Sequence, residues 1–255
     1  MQKDIPELNW QNWMQRWDHQ QNYYLPEREG RFAAMLDVLE ALLPESFVAL
    51  DLACGPGSIS QRLLSRFQQA SCIAVDIDPI LLLLGQQTLG TMQGRLRWVD
   101  ADISQPSWIT QLGEEHVDAI LSTTALHWLP ASTLMDLYRQ LGTLLRPGGI
   151  FLNGDHFGFA PHMPSFTRVC EHEQEHWSEE ANKAGNENWE MWWEALRREP
   201  GMEALFAERE RRFSGKTKPP EALVDVHLAA LRDAGFHEVG VIWQRLDNRV
   251  VMAVR

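Results

Sequence analysis

Five short apolar runs constrain the fold of this 255-residue chain more than any other feature. They are FVALDL from residue 47, CIAVDI from 72, LRWVDA from 96, VDAILS from 117 and GGIFLNG from 148. Their apolar residues are nearly continuous rather than alternating, the pattern of strands covered on both faces. Between them stand segments of helical period such as ISQRLLSRF and STLMDLYRQLGTLL. Strands separated by helices imply a parallel sheet with crossover helices, an α/β protein of doubly wound type. Two helices are expected before the first strand. Trp10, Trp13, Met14 and Trp17 recur at helical spacing, and REGRFAAMLDVLEALLP sets Phe32, Met35, Leu36, Leu39 and Leu43 near one face. At the other end LVDVHLAALRDAG reads as a helix closed by Gly235, and EVGVIWQRL and NRVVMAVR as strands joined by a tight Asp247-Asn248 turn. The expected sheet is therefore seven-stranded and mostly parallel, with a terminal antiparallel hairpin.

The most specific chemistry sits at the first strand, where VALDLACGPGSIS places an acid, a glycine-rich turn and a helix start in succession. Gly55 and Gly57 let backbone approach a ligand closely, and the following helix N-terminus offers amide donors and a positive dipole end. Asp76 closes the second strand, where a carboxylate can take both hydroxyls of a ribose. Asp102 follows the third strand, placed to accept a hydrogen bond from an adenine amino group. Together they describe a nucleoside pocket at the switch point of a doubly wound sheet. A nicotinamide-binding domain would share these features, but it expects a third glycine at position 60, which is Ser60, and no terminal hairpin.

Whole-chain properties narrow the partners. A net charge of -12 repels a phosphate backbone, and the basic residues form no stripe, so nucleic acid is a poor candidate and a small molecule fits better. No run approaches the roughly 18 apolar residues a membrane span needs, and MQKDIPELNWQNW lacks the apolar core of a secretory signal. No membrane association and a cytoplasmic setting are expected. Cys54, Cys72 and Cys170 show no Cys-x-x-Cys spacing, which favours reduced thiols over a disulfide framework or a thiolate zinc site. Oligomeric state leaves no mark in the sequence.

LDLACGPG, VDIDP, ADI, DAILSTTALHWL and LLRPGGIFL occur in the order and spacing of class I S-adenosylmethionine-dependent methyltransferases, which the chain resembles closely over residues 47–153. The resemblance implies a Rossmann-like methyltransferase fold, with S-adenosylmethionine as cofactor and a small molecule as methyl acceptor. It also implies that Asp51, Ala53, Gly55 and Gly57 lie at the amino-acid part of the cofactor. Asp76 and Ile77 would take the ribose, Asp102 and Ile103 the adenine, and Thr123 and Thr124 would border the methyl group. WDHQQNYYL is similar to the family's aromatic segment and would put Tyr23 or Tyr24 over the cofactor. Two positions depart from the pattern: Ser58 stands for the usual third glycine of the turn, and Pro56 for a polar residue. Two alternatives keep the cofactor: sulfonium chemistry other than methyl transfer, such as cyclisation, and a partner subunit that binds without turnover.

In this reading residues 1–45 cover the cofactor pocket, 46–154 form the binding core, 155–219 are an inserted helical lid over the substrate, and 220–255 complete the core. Tryptophans concentrate in the front helix and in the insertion (Trp177, Trp189, Trp192, Trp193), where most are expected to pack the lid against the sheet. His156, next to Asp155, is the foremost acid–base candidate, and His127 is a second, with a purely structural role open to it. HEQEH at 172–176 matches a zinc-peptidase pattern on an expected helix, but no third ligand or substrate-binding strand accompanies it. No metal is expected, and His172 and His176 are read as residues of a lid helix.

Overall fold

A computed structural model describes residues 7–25, 27–113 and 116–255; residues 1–6 and Pro26 of the expected front segment lie outside the described residues. The chain opens with helices α1 (Trp10–Gln21) and α2 (Arg28–Leu42). An alternation follows: β1 (Val48–Leu52), α3 (Ser58–Arg66), β2 (Ser71–Asp76), α4 (Pro79–Leu89), β3 (Leu96–Asp100), β4 (Val117–Thr123), α5 (Ala131–Leu144) and β5 (Leu145–His156). Three helices, α6 (Pro164–Lys183), α7 (Trp189–Arg197) and α8 (Glu203–Phe213), precede α9 (Val224–Asp233) and the hairpin β6 (Glu238–Arg245) and β7 (Asn248–Val254).

The strands form one seven-stranded sheet in the order β3-β2-β1-β4-β5-β7-β6. The first five run parallel, and β7 lies antiparallel between β5 and β6. One core layer packs α5 and α9 on the sheet through Leu137, Tyr138, Leu141, Leu231 and Phe236. The opposite layer packs α2 and α3 through Phe32, Met35, Leu39, Leu63 and Leu64. A third cluster joins α1, α4, α7 and α8 around Trp13, Trp17, Leu84, Trp192, Trp193 and Phe206. Trp192 and Trp193 therefore pack on helices rather than on the sheet, because α1 and α4 interpose between them and the strands.

Three details differ from the sequence reading. The hairpin turn is Leu246–Asp247, with Leu246 at φ 54°, and Asn248 already pairs with Arg245 in the ladder. β5 begins at Leu145 rather than at Gly148, since Leu145 pairs with Val117 across an irregular step in the β4–β5 register. β3 is a sheet edge, and its burial is mixed, with Leu96 and Val99 buried, where a strand covered on both faces would stay buried. Because β7 is antiparallel, Asn248 stands opposite His156, which brings the hairpin turn to the carboxyl edge of β1, β2, β4 and β5. The strand ends and the hairpin turn thus meet at one edge of the sheet.

Candidate functional site

After β1 the backbone enters left-handed conformations at Ala53 (φ 55°), Gly55 (φ 55°) and Gly57 (φ 82°). Glycine is required at 57, since a Cβ there would stand 2.7 Å from the Trp98 ring, too close for any side chain. Asp51 lies beneath the turn. Its Oδ2 accepts hydrogen bonds from Ser60 N (3.2 Å) and Ser60 Oγ (2.6 Å), which fixes the first turn of α3. Ser60, at the position where a nicotinamide-type turn would have glycine, is thus the partner of Asp51. Asp76 Oδ2 accepts from Gly55 N at 2.7 Å and its Oδ1 from Asp78 N at 2.8 Å, so this carboxylate holds the glycine turn against the end of β2. Burial pushes Asp51 up to about 7 and Asp76 up to about 6.

The third expected acid, Asp102, accepts from Ser104 N (3.0 Å), Ser104 Oγ (2.6 Å) and Lys216 Nζ (2.7 Å). Burial alone would raise it, but the Lys216 and Ser104 hydrogen bonds outweigh that and hold it below the usual carboxylate range. Lys216 belongs to a row of cations that sequence reading did not find. Arg209 Nε donates to Asp78 Oδ2 at 2.6 Å, and Arg212 donates to Asp100 Oδ2 at 2.9 Å and to the Ile77 carbonyl at 2.9 Å. α8 and the segment after it therefore clasp the carboxyl ends of β2 and β3, the nucleoside end of the site. Ile103 packs at the margin of the core there.

Above the glycine turn sits Trp17, 4.0 Å from where a Gly55 Cβ would be. Its ring meets Trp192 edge-on at 5.0 Å and Trp189 at 5.4 Å. Asp18 ties this cap to the turn, accepting from Arg28 at 2.7 Å and from Ser58 Oγ at 3.3 Å. The side-chain amide of Gln20 and the indole N–H groups of Trp192 and Trp193 are buried without hydrogen-bond partners. Buried polar groups are rarely left so, and these lie in the elements that cover the turn. The Tyr24 hydroxyl accepts from Trp189 N at 3.0 Å, while the Tyr23 hydroxyl accepts from Asn182 at 3.1 Å. Both tyrosines anchor the α6–α7 segment.

The other end of the site is built on β4 and β5. Thr123 closes β4 beside Gly154, and Thr124, at φ 54°, donates its N–H to the Gly154 carbonyl at 2.9 Å. His127 follows on a short 3₁₀ turn, with Nδ1 2.8 Å from Asp155 Oδ1 and its own N–H on Asp155 Oδ2 at 3.2 Å. Asp155 is buried, which by itself would raise its carboxyl. The His127 hydrogen bond and charge and the Arg31 charge more than offset this and keep it ionised. An ionised carboxylate accepts from Nδ1–H, which leaves Nε2 as the basic nitrogen of His127. His156 forms a second pair, its Nδ1 2.9 Å from Asp247 Oδ2. His156, Asp247, Asn248, Tyr24 and Trp177 line a small cavity of about 40 Å³. Of the two histidines, His127 has the more buried acid partner, a pairing invisible in sequence because the two residues lie in different elements.

His172 and His176 lie exposed along α6, where His176 approaches Glu180 at 3.9 Å. Among the described residues no group of three or more His, Cys, Asp or Glu could hold a metal ion.

A glycine turn, acids at the ends of three adjacent strands and a reversed terminal hairpin together define the Rossmann-like fold of class I S-adenosylmethionine-dependent methyltransferases. Residues 49–149 match the family model of a methyltransferase domain. A trans-aconitate 2-methyltransferase of Azoarcus sp. (strain BH72) is 33% identical over 140 residues, which are 54% of this chain and 49% of that protein. A malonyl-[acyl-carrier protein] O-methyltransferase of Paenibacillus sp. (strain JDR-2) is 28% identical over 103 residues, 39% of this chain and 35% of that one. The match spans about half or less of these curated relatives' length. Among solved structures, an O-methyltransferase family protein from Burkholderia thailandensis superposes with a TM-score of 0.55 at 16% identity, covering 87% of this chain and 55% of that one. Human N-acetylserotonin methyltransferase, in complex with SAM, gives 0.53 at 14% identity, covering 89% and 51%. At such identities the likeness is one of fold.

Proposed function

We propose that this protein transfers a methyl group from S-adenosylmethionine to a small-molecule acceptor. The observation that carries the reading is the glycine turn held between Asp51 and Asp76 at the carboxyl edge of the sheet, with Asp102 one strand further on. The left-handed backbone at Gly55 and Gly57 suits close approach of a ligand, Asp76 a ribose, and Asp102 the adenine edge once Lys216 releases it. The buried, unpartnered Gln20 amide suits a polar ligand under the same cap. When bound, S-adenosylmethionine supplies an activated methyl group; the chain's own residues must align the acceptor and exclude water.

Thr123 and Thr124 would border the transfer, and His127, oriented by Asp155, would take the proton of a hydroxyl acceptor or donate to an ionised one. His156 with Asp247 stands beside it as a second polar contact. α6, α7 and α8 act as the lid, and Tyr23 and Tyr24 tie it to the front helices. A cytoplasmic setting belongs to the same reading: the three cysteines are unpaired, and no helix of the described residues is long and apolar enough to cross a membrane. The O-methyltransferase activity named for the Paenibacillus relative supports an oxygen acceptor.

The test is calorimetry with S-adenosylhomocysteine on the wild type and on Asp76→Ala, followed by mass spectrometry of candidate acceptors for the gain of one methyl group. Wild-type binding that is lost in Asp76→Ala is expected. Absence of binding in both proteins would remove the proposal. With a hydroxyl acceptor, His127→Gln should lower turnover by about 10²- to 10⁴-fold.

A further inference from the structure

Arg31 is fully buried, 0% exposed, on the face of α2 that covers β5. Its stem lies flat on Gly154: a Cβ at that position would stand 2.9 Å from Arg31 Cδ and 3.1 Å from Nε. Only glycine at the end of β5 leaves room for the arginine. The guanidinium makes two hydrogen bonds, both to neutral oxygens, Nη1 to Asn248 Oδ1 (3.1 Å) and Nη2 to Thr124 Oγ1 (2.9 Å). Nε has no partner. Arg28, the other buried arginine of α2, bonds directly to the Asp18 carboxylate at 2.7 Å. Asp155 acts on Arg31 only through space, because successive strand residues point to opposite faces and Asp155 serves His127 on the far one.

A buried cation without a hydrogen-bonded anion is strongly unfavourable. Burial pushes Arg31 down to about 10, so it nevertheless stays charged at neutral pH. Its fork faces Thr124, a non-glycine residue in left-handed conformation at the end of β4, and Asn248, which lines the small cavity beside His156 and Tyr24. Strain of this kind concentrates at ligand-binding positions. Two planar pairs of donors match the two oxygens of a carboxylate, the ligand that guanidinium groups bind most specifically.

We propose that Arg31 is the cation of a carboxylate-binding site at the transfer end, taking its anion between Thr124 and Asn248. The site deepens the methyl-transfer reading and rests on it. The carboxylate has two sources, an acidic acceptor or the amino-acid part of the cofactor, and the two separate by experiment.

Wild type, Arg31→Met and Arg31→Lys are titrated with S-adenosylhomocysteine and with 5′-methylthioadenosine, which keeps the nucleoside thioether but lacks the amino acid. Transfer is then assayed to trans-aconitate, other di- and tricarboxylates, and their methyl esters. If the anion is the cofactor's, Arg31→Met weakens S-adenosylhomocysteine by about 10- to 100-fold and leaves methylthioadenosine unchanged. If it is the acceptor's, both nucleosides bind as before and transfer to the acids falls by a similar factor, with partial recovery in Arg31→Lys. Where Arg31→Met does not fold, Gly154→Ala displaces the guanidinium without removing it and should weaken the same ligand. Unchanged binding and unchanged transfer in a folded variant would overturn the proposal while leaving methyl transfer intact. A wild type that binds neither nucleoside would overturn both.

Discussion

Gly57 answers to one indole. Trp98 reaches from β3 across α4, donates Nε1–H to the Gly90 carbonyl at 2.8 Å, and lays its ring against Gly57 and Gly85. Gly57→Ala therefore meets both a left-handed backbone and a 2.7 Å clash, whereas Gly185→Ala, just past α6 at φ 73° with nothing within 4 Å, meets only the first. Each left-handed alanine costs about 1–2 kcal/mol. Urea unfolding should show Gly57→Ala losing clearly more than Gly185→Ala, and the gap should close in a Trp98→Ala background. Equal losses would mean that Trp98 yields freely. At this scale the sequence showed Asp51, Gly55, Gly57 and Asp76 because their spacing around a strand end is itself the signal. It did not show Arg31. A basic residue in an amphipathic helix reads as solvent-facing, and only the bare backbone at Gly154 makes room for it inside.

Among the elements, α8 is the one whose role no local pattern announced. EALFAERERRF looks like a solvated charged helix, yet Arg209 and Arg212, with Lys216 just beyond, reach Asp78, Asp100 and Asp102 across more than a hundred residues of chain. Arg209 also stacks on Trp193 at 3.9 Å, which couples the cations to the tryptophan cap. If these pairs must open before adenine reaches Asp102, salt should help rather than hinder the ligand. S-adenosylhomocysteine affinity is expected to rise between roughly 0.05 M and 0.5 M salt, as screening weakens partly exposed pairs. Lys216→Met should bind more tightly than wild type at low salt and lose most of that dependence. Calorimetry at the two ionic strengths decides the matter; a flat wild-type response would show that the clasp does not control entry. The insertion's helices were legible as helices, and the tryptophans did mark its packed part. That α7 and α8 pack while α6 stays largely exposed depends on contacts to α1 and α4 that periodicity cannot supply.

Across the whole molecule, parallel order and the terminal hairpin were readable because strands covered on both faces carry no alternation, and the chain's two exceptions fall at the sheet edges. β3 and β6 are those edges, and their burial patterns are accordingly mixed. Titration is a property of this scale too, because buried groups from separate layers pull stability in opposite directions. Asp51 and Asp76, raised by burial to about 7 and about 6, bind protons more tightly folded than unfolded, so their contribution to stability falls as pH rises from about 4 to 7. His227, buried against the Tyr138 hydroxyl at 2.5 Å and lowered by burial to about 4, works the other way. It is neutral in the fold and protonated when unfolded, so its contribution is lost as pH falls from about 6.5 to 4. Between pH 6.5 and 8 the Asp51 effect stands nearly alone. Asp51→Asn keeps an oxygen that can accept from Ser60 but cannot ionise, and its stability relative to wild type should therefore grow from pH 5 to pH 8. Chemical unfolding at the two pH values measures this directly. A difference that stays constant would mean that Asp51 already exchanges its proton with solvent as an exposed carboxylate does, and that the floor of the glycine turn is wetter than its burial implies.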